Sequence, residues 1–112
     1  MRAEEGRVFF LDHHLERISE SCRFFRIRFP EVLKNHDIYK TLLVKNDLED
    51  CVSIVKIIVT RGNDRTIGLP ECDDPTCIIM ARQYHPPDQD VYDRGWSLVS
   101  FSYPRASPLS EY

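Results

Sequence analysis

The stretch Val52 to Thr60, Val-Ser-Ile-Val-Lys-Ile-Ile-Val-Thr, constrains the fold more than any other part of the chain. β-Branched residues dominate it, and their stiff χ1 angles suit a pleated surface better than a helix. Val55, Ile57 and Val59 fall on one side at period two, so the strand needs a cover over that face. Arg61 comes next in the same row, a cation at the end of an apolar face. Two more segments read as strands after it: Thr76 to Tyr84, bounded by Pro75 and by His85-Pro86-Pro87, and Trp96 to Tyr103, with Val99, Phe101 and Tyr103 on one side.

The first half reads differently. Arg7 to Leu11 forms a short strand after a turn at Glu5-Gly6, and Asp12 is an N-cap for a helix. Leu15, Ile18, Cys22 and Phe25 recur at helical spacing and make one apolar stripe, while Glu16, Ser19, Glu20 and Arg23 fall off it. A second helix starts at Phe29-Pro30-Glu31, with proline near its first position and an acid in its first turn. Val32, Leu33, Tyr39, Leu42 and Leu43 supply its apolar face, and Asn46-Asp47 close it. His36 lies one turn after Val32 and reads as a packed or half-buried residue rather than a ligand. The order β-α-α-β-β-β predicts an α+β domain, a largely antiparallel sheet with two helices packed on one face.

A length of 112 residues holds one domain with a modest core. The net charge of -3 argues against a general nucleic-acid binder, although Arg23, Arg26 and Arg28 form a basic patch and Glu71, Asp73 and Asp74 an acidic loop. No apolar run approaches the ~20 residues that cross a bilayer, and the polar start Met1-Arg2-Ala3-Glu4-Glu5 does not read as a signal peptide. Cys22, Cys51, Cys72 and Cys77 form no CxxC pair and read as free thiols in a reducing, cytoplasmic setting. His13, His14 and Glu16 do not make a metal site, because adjacent helical residues point in different directions.

Two regions carry charge where chemistry could use it. Arg17 sits beside Ile18, at the edge of the apolar stripe and one turn from His13 and His14. Its planar fork suits a phosphate or a carboxylate; the alternative is a surface arginine paired with Glu16 or Glu20. The segment Thr60 to Pro70, Thr-Arg-Gly-Asn-Asp-Arg-Thr-Ile-Gly-Leu-Pro, leaves the strongest strand with Arg61 and Arg65 and two glycines that let it bend. Loops held by a rigid strand end often carry binding groups, and a solvated turn is the other reading.

Together these pieces resemble the class IV aminotransferase family, pyridoxal-phosphate enzymes of fold type IV. That family includes branched-chain aminotransferases, D-amino acid aminotransferases and 4-amino-4-deoxychorismate lyase. The matching stretches are Gly6 to Phe25 (GRVFFLDHHLERISESCRFF), Ile57 to Pro70 (IIVTRGNDRTIGLP) and Tyr103 to Leu109 (YPRASPL), in the family's order. The resemblance implies the small N-terminal domain, with pyridoxal 5'-phosphate as cofactor and Arg17 gripping its phosphate. It also implies a substrate-binding role for Arg65, toward a carboxylate, and for Arg61, in a loop that reaches toward the neighbouring subunit of a dimer. Arg61 keeps a second reading, as a structural residue pairing across the sheet.

The family's Schiff-base lysine lies beyond an Arg-x-x-x-Pro-Leu type segment, and none of Lys34, Lys40, Lys45 and Lys56 occupies such a position. No catalytic residue is therefore assigned in this chain. By the resemblance it is a fragment lacking the family's first strand and the C-terminal cofactor domain, inactive alone and prone to self-association through an uncovered sheet. The implied activity is amino transfer on an amino acid/2-oxo acid pair or lysis of an amino-chorismate. A free-standing α+β binding module without catalysis is the competing class.

Overall fold

The computed structural model describes residues 1–63 and 74–102. Its centre is a four-stranded sheet in the order β2-β1-β3-β4. The strands are β1 (Arg2–Glu4), β2 (Arg7–Val8), β3 (Ser53–Thr60) and β4 (Thr76–Gln83). Every pairing is antiparallel. The α+β class and the antiparallel sheet agree with the sequence reading.

β1 and β2 form a hairpin, with Glu4 opposite Arg7. Glu5 (φ 50) and Gly6 (φ 69) both take left-handed angles, the requirement of a tight turn whose twist matches its strands. The strand expected over Arg7 to Leu11 is shorter than that pattern predicts. Phe10 turns left-handed at φ 53 and starts helix α1 (Leu11–Phe24), so Leu11 is helical. Phe10 also occupies the cap position expected of Asp12, which instead lies in the first turn of α1. The stripe itself is as expected: Leu15 and Cys22 are buried, and Ile18 and Phe25 are half-buried.

The second helix is interrupted. A 3-10 turn (Glu31–Lys34) precedes α2 (Asp37–Lys45). Asn35 breaks the two apart: its backbone is extended, and its side-chain oxygen accepts the Asp37 N–H at 3.0 Å. The break rotates the two pieces, so Leu33, Tyr39 and Leu43 are buried while Val32 is exposed. His36 is exposed rather than packed, and its Nε2 lies 2.9 Å from an Asp12 carboxylate oxygen. Asn46 closes α2 and donates from Nδ2 to the Leu42 carbonyl at 2.8 Å.

The core joins Leu11 and Leu15 of α1, Leu33, Tyr39 and Leu43 of the second helical region, and Ala3 and Val55 of the sheet. Val55, Ile57 and Val59 face this core opposite Ala81, Ile79 and Cys77 of β4. Helices α1 and α2 thus cover one sheet face, as the period-two row in β3 requires. The Tyr39 hydroxyl is satisfied inside the core, donating to the Leu33 carbonyl at 3.0 Å. Beyond β4 lies a short helix that the sequence did not announce, α3 (Gln89–Arg94), with no buried residue. The strand expected over Trp96 to Tyr103 does not form over residues 96–102, and Tyr103 lies outside the described residues.

Candidate functional site

Helix α1 presents Arg17, Ile18, Ser21 and Cys22 along its C-terminal half. The chain leaves the helix through Phe25 and turns at Arg26, which takes φ 52. Ile27 then folds back, its N–H donating to the Cys22 carbonyl at 2.8 Å, which closes the helix end with a left-handed turn. Together with Ile57 and Val59 of β3 these residues enclose a hollow of about 230 Å³. Its walls are mostly apolar, and Arg17 is the cationic residue among them.

Arg17 is exposed to solvent on its outer side. Neither Glu16 nor Glu20 pairs with it, and among the described residues it makes no ion pair. His14, one turn back, has its pKa lowered by burial first, and then by the amino terminus, Arg17 and His13. Burial pushes the Cys22 thiol up, so this hollow-lining sulfur stays protonated, and burial raises Cys77 as well. Ser21 turns its hydroxyl back to the Arg17 carbonyl at 2.9 Å.

Arg61 is half-buried just past the end of β3. Its Nη2 donates to the Phe25 carbonyl, so the strand end is tied to the turn that closes α1. This contact differs from pairing across the sheet. It brings Arg61 to the backbone of a residue lining the same hollow as Arg17. Gly62 comes next at φ 85, where a Cβ would collide with the carbonyl oxygen of Asp74. The chain can return this close to itself only with glycine there. Arg65, the remaining expected site residue, lies outside the described residues.

The sequence drew attention to Arg17, Ile18, Cys22, Phe25, Ile57 and Val59 but missed the parts of the wall contributed by Ser21 and Ile27. Phe25 was legible as the end of the helical stripe; Ile27 carried no signal, because its position depends on the turn at Arg26. A larger groove of about 580 Å³ lies on another side of α1, lined by Asp12, Glu16, Arg23, Lys34 and His36 among others. Arg17 is not part of it. Among the described residues no group of three His, Cys, Asp or Glu side chains could hold a metal, and no helix is long and apolar enough to cross a membrane.

A phosphate needs a cationic fork with no anion already on it, beside a wall that keeps competing water away. Arg17 lines the hollow and has no ion pair among the described residues, a donor set of the kind that suits a phosphate.

Comparison with known proteins bears on the family. A family model described as amino-transferase class IV matches residues 1–112. Branched-chain-amino-acid aminotransferase-like protein 2 of Arabidopsis thaliana is 30% identical over 113 aligned residues, covering 96% of this chain. The chain spans 20% of the length of that relative. No solved structure matches. With the match running the whole length and the α+β fold in place, the chain belongs to the class IV aminotransferase family.

Proposed function

We propose that this chain forms the small N-terminal domain of a pyridoxal 5'-phosphate enzyme that moves an amino group between an amino acid and a 2-oxo acid. The observation that carries the reading is Arg17, which has no ion-pair partner among the described residues and lines a mostly apolar hollow. The name of the Arabidopsis relative favours amino transfer over the 4-amino-4-deoxychorismate lyase reaction.

In this reading Arg17 holds the phosphate through paired N–H donors, fixing the cofactor's position and orientation. When bound, the cofactor supplies an electron sink for the carbanion formed at the substrate's α-carbon. Ile18, Ile57 and Val59 keep water from the phosphate end, which strengthens the charge pairing. The Arg61-Phe25 tie holds the base of the Thr60-Arg61-Gly62 segment rigid. Arg65, outside the described residues, is assigned to a substrate carboxylate, with a neighbouring subunit completing the pocket. None of Lys34, Lys40, Lys45 and Lys56 is assigned the bond to the cofactor, so the chain alone is proposed to be inactive. A cytoplasmic homodimer is the setting proposed for the whole enzyme.

Binding of pyridoxal 5'-phosphate and of unphosphorylated pyridoxal, compared by equilibrium dialysis, tests this reading. The phosphorylated form should bind more tightly, and Arg17→Ala should weaken it by roughly tenfold to a hundredfold, the scale of a charged hydrogen-bonded contact. Arg17→Lys should recover part of that loss, and borohydride should fix no single lysine. Equal binding by Arg17→Ala, or one uniquely labelled lysine, overturns the assignment.

A further inference from the structure

The hollow that Arg17 lines has two walls from distant parts of the chain. α1 and the turn after it supply Arg17, Ile18, Ser21, Cys22, Phe25 and Ile27, while β3 supplies Ile57 and Val59. A binding group works only when the element beneath it is held to a fraction of an ångström. What fixes α1 against the end of β3 therefore matters as much as Arg17 itself.

Packing anchors the start of α1, because Leu11 and Leu15 belong to the core. After Leu15 the helix has one further buried residue, Cys22. At its far end the anchor is polar: Arg61 Nη2 donates to the Phe25 carbonyl, one of the oxygens that a helix end leaves without an internal partner. The cation also meets the negative end of the helix dipole. Arg17 lies between the two anchors, about two turns before Phe25. The backbone that carries Arg61 is fixed in turn. Thr60 is still in the ladder, opposite Thr76, and its hydroxyl accepts the Gly62 N–H at 3.2 Å, which closes a small turn across Arg61. With that backbone set, less freedom is lost when the long side chain reaches α1. Arg61 is half-buried, which strengthens its bond to the carbonyl.

We infer that Arg61 is a positioning residue for the phosphate site proposed around Arg17, on which this role rests, and that Arg61 itself binds neither phosphate nor substrate. It acts through the Phe25 carbonyl. The bond holds the last turns of α1 against the end of β3, and so fixes Arg17, Ile18 and Cys22 relative to Ile57 and Val59. The two arginines divide the work: Arg61 commits a donor to the backbone, whereas Arg17 has no ion pair among the described residues. This role replaces the substrate contact that the family resemblance implies for Arg61.

Titration of inorganic phosphate into the 112-residue chain, read on the Ser21 and Cys22 amide signals by NMR, tests this in a double-mutant cycle. Arg61→Ala should weaken binding by roughly tenfold, the scale of losing a supporting partner behind a binding group, with the parent's circular dichroism retained. Hydrogen exchange at the Ile27 amide, which bonds to the Cys22 carbonyl, should quicken in the same variant. Arg61→Lys keeps a charged donor and should recover part of both losses. Added to Arg17→Ala, Arg61→Ala should weaken binding no further, because nothing is left to position. A loss that persists without Arg17 makes Arg61 a phosphate ligand, and unchanged binding in Arg61→Ala makes it a stabilising contact alone; either overturns the proposal while leaving Arg17 in place. A parent chain that binds no phosphate overturns the Arg17 reading and this role together. If Arg61→Ala unfolds, Arg61→Lys carries the same cycle, with a smaller loss that must again vanish without Arg17.

Discussion

β3 and the arm of residues 96–102 carry the same kind of sequence, yet one is a central strand and the other is open to solvent. Val55, Ile57 and Val59 alternate as Val99 and Phe101 do. The difference lies in what each segment meets. β3 has β1 on one side and β4 on the other, and the helices cover its inner face. The arm has neither a neighbour among the described strands nor a cover. Period two states what a segment requires of its surroundings, and the surroundings decide whether a strand forms.

The largest test of that contrast is mutational. Leu33→Ala, at a fully buried position, should lower unfolding free energy by about 2–5 kcal/mol in urea titrations. Leu98→Ala, in the arm, should change it by less than about 0.5 kcal/mol at concentrations where the chain is monomeric. Equal effects would erase the distinction between core and arm.

A smaller effect sharpens the same contrast through pH. Burial raises the Tyr39 phenol from its ordinary 10 to about 12. Its folded-state pKa exceeds the unfolded value, so its contribution is complete below pH 10 and is lost as pH rises through 12. Stability should fall by roughly 2–3 kcal/mol across that window. Tyr39→Phe should flatten this part of the profile. A slope indifferent to Tyr39→Phe would place the phenol in water. Smallest is the surface pair of Asp12 and His36: Asp12→Asn should cost no more than about 1 kcal/mol, because both side chains are largely exposed.

How much of the fold was legible in the sequence is decided by the same physics. The stripe Leu15, Ile18, Cys22, Phe25 and the row Val55, Ile57, Val59 could be read because each repeats at the period of its own backbone. The start of α1 could not, since Phe10 takes a left-handed conformation where Asp12 had the better capping chemistry. The break before α2 depends on the Asn35 side chain bonding to Asp37, a local competition that apolar spacing does not register. Arg17 could be singled out in the sequence, but its hollow could not, because Ile27 and Val59 meet it only through the turn at Arg26 and the packing of α1 on β3.

The central claim concerns one side chain and one anion. Titrating inorganic phosphate into arginine-labelled chain, with the guanidinium N–H signals tracked by NMR, reads it directly. The account predicts a saturable shift of the Arg17 signal that disappears in Arg17→Lys spectra, with the Arg23, Arg26 and Arg28 signals moving little. An unmoved Arg17, or a shift centred on those three arginines, would contradict it.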